Sequence, residues 1–172
     1  MRTMYSQLIT GLCDRLIRLG SVKRSEIIGC TPEQIAEIRM IAGTRLPESY
    51  TAFLSIMGCG AGRFFEGIDI HYPDILRVRT IAEELLEEDD SPFRLGSSDF
   101  VFSAYLGCQF MFFKLAESDD PSLYRYLELS GQPTKIANSF SEFLTRCVDE
   151  EENPALRPIC NSQSGPPRNS GA

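Results

Sequence analysis

The sequence predicts an α+β fold: a single domain with a largely antiparallel or mixed sheet, helices packed around it, and a helical N-terminal extension. Three observations carry that expectation. Apolar residues recur at helical spacing through the first half of the chain. Aromatic-rich, strand-like runs crowd the second half, and turn residues punctuate both halves. The 172 residues are enough for one core without disulfide staples, and 42% apolar with 24% charged is ordinary globular composition.

The first helix is expected over residues 3–19. Leu8, Leu12, Leu16 and Leu19 lie on one stripe, and Gly20 and Ser21 end it. Thr31, Pro32, Glu33 and Gln34 form a capping-box start for a second helix. Its buried face is Ile35, Ile38 and Ala42, and Gly43 is its stop. Pro47 opens a third helix carrying Tyr50, Phe53, Leu54 and Met57, with Gly58 as the stop and a glycine-rich loop over residues 58–62. Residues 67–72 are short and β-like. A fourth helix is expected over residues 75–89, with Ile81, Ala82, Leu85 and Leu86 facing inward. Its other face sets Glu83 against Glu87 and Glu84 against Glu88, like charges at i, i+4 that cost a few tenths of a kcal/mol each. That helix must be held by its apolar face.

Residues 100–105 and 108–115 read as a hairpin joined by Leu106 and Gly107. Residues 123–129 alternate as a strand with a mixed outer face that includes Tyr124 and Tyr126. Asn138 or Ser139 caps a last helix built on Phe140, Phe143, Leu144 and Cys147 or Val148. Four acids, Asp149 to Glu152, oppose the dipole at its C-terminus, so fraying is expected there. The organisation read from this pattern is an N-terminal extension (1–25), a domain (26–152) and a flexible tail (153–172) poor in apolar residues.

Charge excludes some functions. The net charge is −7, yet residues 1–25 carry +4, which leaves −11 on the remainder. An acidic body repels phosphate backbones and attracts a basic partner, so no direct nucleic-acid binding is expected. No apolar run has the length of a membrane span. The six cysteines are scattered, without metal-ligand spacing, and read as reduced thiols of a cytoplasmic protein.

Catalytic chemistry is thin. His71 is the single histidine, and a Cys–His pair would need a cysteine brought close by the fold, with Cys59 the first candidate. The glycine-rich loop follows a helix, whereas a phosphate loop follows a strand. The acid clusters fall on helix rims and turns, where nothing raises a carboxyl pKa for general acid work. No catalytic residue, cofactor or metal is assigned, and the chain is expected not to be an enzyme. The candidate partner-binding residues are Glu83, Glu84, Glu87, Glu88, Asp89, Asp90, Asp119 and Asp120, with Tyr124 and Tyr126 as aromatic anchors.

A family resemblance adds to this reading. Residues 30–38, then Leu46, Pro47, Tyr50, Phe53 and Leu54, then Gly58 and the loop after it resemble the SUKH superfamily in its Smi/Knr-like branch. The Gly96 and Asp99 region before the hairpin, and Asn138, Ser139, Phe140, Phe143 and Leu144 in the last helix, resemble it too. The similarity spans about residues 27–152, with the elements in the family's order. The resemblance implies a mixed sheet wrapped by helices and a binding role. Its bacterial members act largely as immunity proteins against polymorphic toxins, many of them nucleases. Its fungal members regulate cell-wall synthesis through other proteins. The expectation is therefore an immunity protein that blocks the active site of a cognate, basic protein toxin. The alternative is a regulatory scaffold acting through another protein, with the Leu8–Leu12–Leu16–Leu19 stripe as its docking helix.

Overall fold

The computed structural model describes residues 4–156; residues 1–3 and 157–172, with most of the expected tail, lie outside them. The elements run α1 (Met4–Leu19), β1 (Ile27–Ile28), α2 (Pro32–Ala42), α3 (Glu48–Met57), β2 (Gly60–Ala61), β3 (Ile68–Asp69), α4 (Val78–Glu88), β4 (Asp99–Tyr105), β5 (Gln109–Lys114), β6 (Leu123–Leu127), β7 (Thr134–Ala137) and α5 (Phe140–Glu152). Short 3-10 turns cover Arg24–Glu26 and Asp74–Leu76. β3 to β7 form an antiparallel meander in sequence order, and β1 pairs with β2 in a separate two-stranded ladder. The fold is α+β, as the patterning predicts.

Local chemistry explains most boundaries. Thr31 Oγ1 accepts from the Gln34 N–H while Gln34 Oε1 accepts from the Thr31 N–H, so both halves of the capping box form. Gly43 closes α2 at φ 68°. Ser139 caps α5 by accepting from the Glu142 N–H. Leu106 and Gly107 both take positive φ, 49° and 68°, which matches the twist of the hairpin they join.

Two layers of aromatic rings fill the sheet's faces. On one, Tyr50 of α3 and Phe140 and Phe143 of α5 pack against Phe100, Phe102 and Phe113. Phe102, two residues after Phe100, shares its face by strand alternation, and the register with β5 shifts between Val101 and Ser103. On the other, Phe93, Phe110, Phe112, Tyr124 and Tyr126 stack on one another.

Some expectations change. The buried stripe of α1 is Ile9, Leu12, Cys13 and Leu16; Leu8 and Leu19 are 40% and 43% exposed. The stripe is turned because α1 packs against α3 and α5 together. The region expected as one helix over 75–89 splits into the 3-10 turn and α4. The last helix stays regular to Glu152 despite its acids, because Arg15 of α1 reaches across to Asp149 and Glu152 at 2.6–2.8 Å. Those carboxylates drive the Arg15 pKa upward, and Arg15 lowers that of Glu152. β7 carries no strong periodic signal and forms through pairing with β6.

Candidate partner-binding site

The acidic candidates divide by what the fold does with them. α4 lies against β4 and β5 through Val78, Ala82, Leu85 and Leu86, which are buried, and turns its acids outward. Arg79, on the same helix, fastens it to the sheet by donating from Nη1 to the Asp99 carbonyl at 2.8 Å. Its Nε donates to Glu83 at 2.9 Å, an i, i+4 pair. Glu84, Glu87, Glu88 and Asp90 are exposed and make no ion pair with another described residue. These four carboxylates and Glu83 form a continuous acidic edge along α4 and its end.

The remaining candidates are engaged in structure. Asp89 accepts from the Tyr126 hydroxyl at 2.8 Å and the Leu129 N–H at 2.7 Å, tying the end of α4 to β6. Asp119 pairs with Arg45 and lends its carbonyl to the Ser49 N–H at the start of α3. Asp120 accepts from the Ser141 N–H at 2.9 Å, at the first turn of α5. Tyr126 corrects an expectation. It is fully buried, stacked between Phe93 and Phe110, and burial raises its pKa. A ring enclosed by its own sheet face is not an aromatic anchor for a partner. Tyr124 is half-buried and stacks on Phe112 at 5.4 Å.

Sequence reasoning could not separate these groups. An aspartate on a helix end looks the same whether solvent or a distant tyrosine meets it. The one advance signal was strand parity, and it placed Tyr124 and Tyr126 on one face without showing what covers that face.

Cys59 and His71 do not hydrogen-bond to each other. His71 lies against Phe53 and Phe65, and burial lowers its pKa. The Cys59 sulfur instead contacts Cys30 Sγ and Gln34 Oε1, each at 3.4 Å. Cys13, Cys30, Cys59 and Cys108 are free thiols, whereas Cys147 is disulfide-bonded, which departs from the expectation of reduced thiols throughout. No group of three His, Cys, Asp or Glu side chains among the described residues could hold a metal ion. No helix among them is long and apolar enough to cross a membrane.

A five-stranded antiparallel meander with helices against it, and an exposed acidic helix edge, defines a class of small α+β domain. Comparison with protein families makes this specific: the model of the SMI1 / KNR4 family (SUKH-1) matches residues 29–146, and the chain belongs to that family. The match begins at the close of β1 and ends within α5. The family includes toxin immunity proteins. Among curated proteins, none matches the chain.

Proposed function

We propose that this protein is an immunity protein that binds a cognate toxin in the cytoplasm and neutralises it by covering its active site. The observation that carries the reading is the outer edge of α4. Glu84, Glu87, Glu88 and Asp90 are acids that the fold leaves to solvent, whereas Asp89, Asp119, Asp120, Asp149 and Glu152 hold the fold together. A row of exposed like charges weakens its own helix. A basic partner, such as the cationic surface of a nuclease, turns that cost into faster encounter and charge complementarity. Membership of a family that includes immunity proteins supports the same reading. Tyr124 is the aromatic residue proposed to accompany the acids. No catalytic step is assigned to this chain.

The scaffold alternative loses its proposed docking helix. Leu12 and Leu16 of the α1 stripe are core residues packed under α3 and α5.

The test is co-expression with the adjacent reading frame, scoring survival and purifying the complex. Rescue of a lethal neighbour with a stable complex supports immunity. A quadruple Glu83→Gln, Glu84→Gln, Glu87→Gln, Glu88→Gln variant should associate about tenfold more slowly at low salt and lose most of its salt dependence. Unchanged association kinetics would remove α4 from the interface.

A further inference from the structure

Two glycines bring two thiols into contact where β1 meets the end of α3. A side chain at Gly29 would overlap the Ser55 carbonyl, and a Cβ at Gly58 would lie 2.6 Å from Cys30 Sγ. Glycine at both positions lets the backbones approach closely. The Cys30 N–H donates to the Leu54 carbonyl, and the Cys59 N–H to the Ile28 carbonyl, both at 2.8 Å. Both cysteines are thus pinned through their own main chain. Their sulfurs stand 3.4 Å apart, against about 2.0 Å in a disulfide. Cys30 is buried, whereas Cys59 is partly exposed beside Gln34.

We propose that Cys30 and Cys59 are a redox modification site that closes to an intramolecular disulfide when a peroxide reaches Cys59. The Cys59 thiolate attacks one peroxide oxygen and the O–O bond breaks. Cys59 becomes a sulfenic acid, and the other oxygen leaves as hydroxide, which takes a proton to become water. The Cys30 sulfur then attacks the Cys59 sulfur. The S–S bond forms, the S–OH bond breaks, and the hydroxyl leaves with the Cys30 proton as a second water. Two electrons pass from the thiol pair to the peroxide. The division of roles follows exposure. Burial and the neighbouring Cys59 sulfur push the Cys30 thiol up to about 12, so Cys30 stays protonated until the second step.

The bridge would close a ring containing all of α2 and α3. It would fasten the residue before the α2 cap to the residue after the α3 stop. Because it restricts the unfolded chain, the oxidised form should melt about 4–8 °C higher than the reduced form.

The experiment treats the reduced full-length chain with hydrogen peroxide, blocks remaining thiols by alkylation and maps tryptic peptides. Cys30 falls in the peptide 25–39 and Cys59 in 46–63, each the only cysteine in its peptide. The expected result is a linked pair of these two peptides, lighter by two hydrogens than their sum, with the raised melting midpoint. Cys59→Ser should abolish both. In Cys30→Ala, the Cys59 sulfenic acid should persist and be trapped by dimedone. The proposal is overturned if both cysteines remain alkylatable after peroxide treatment. It is equally overturned if Cys59 proceeds to sulfinic acid while Cys30 stays reduced, or if the linked form melts lower.

Discussion

α4 and α5 end on the same sequence signature and meet opposite fates. Each finishes in a run of acids, where the helix dipole disfavours negative charge. At α5, Arg15 crosses from α1 to grip Asp149 and Glu152, and Ser21 donates to Glu151. At α4, one acid of the run, Asp89, is taken inward by Tyr126 and Leu129, and its neighbours remain in solvent. The difference teaches that an acidic run is not a functional signal until the structure shows which carboxylates are spoken for. Those of α5 are clasped by the fold, and those of α4, Asp89 apart, face solvent.

The strongest way to break this comparison is to attack what holds α4. Leu85→Ala should destabilise the protein by about 2–4 kcal/mol in denaturant unfolding, since it removes a buried side chain from the apolar face that packs α4 on the sheet. A loss near zero would mean that α4 is not anchored as described. Neighbouring residues sharpen it next. Asp89→Ala should cost about 1–2 kcal/mol through two lost hydrogen bonds. Glu88→Ala should stay within about 0.5 kcal/mol, and equal effects would erase the distinction between engaged and free acids.

At α5, Arg15→Ala should lower the melting midpoint by a few degrees and by less in high salt, because the cluster is partly exposed. A salt-independent loss would assign the effect to packing of the arginine stem. The smallest expected effect is a pH tilt from His71. Its folded pKa lies below the unfolded value of about 6.5, so the unfolded chain binds the proton more readily. The contribution of neutral His71 is complete above about pH 6.5. It declines as the pH falls from there through the folded pKa. Asp74 and nearby carbonyl groups oppose the shift without reversing it. Comparing melting midpoints between pH 7.5 and 5.5 should show a smaller fall in His71→Phe than in the parent; identical slopes would remove His71 from the acid response.

The legible parts of this protein are those written in local chemistry. The α2 capping box, the Gly43 stop, the Leu106–Gly107 turn and the Ser139 cap depend on residues within a few positions of each other, and all form as read. The core of α3 was equally plain, because Tyr50, Phe53, Leu54 and Met57 leave one helical face to bury. The candidate site was legible only as a pool of acids. Which members of that pool were available turned on contacts far apart in sequence, such as Tyr126 with Asp89 and Arg45 with Asp119.

The sequence by itself determined the fold class, most helix limits, the central hairpin and an acidic surface, since periodicity and turn chemistry act over short distances. Tertiary structure decided the rest. It turned the buried stripe of α1 toward two helices at once, made β7 a strand by giving it β6 to pair with, and enclosed Tyr126 between Phe93 and Phe110. It also set Cys30 against Cys59. The physical reason is common to all four: each depends on which distant residues become neighbours, and a pattern read along one segment holds no record of what will pack against it.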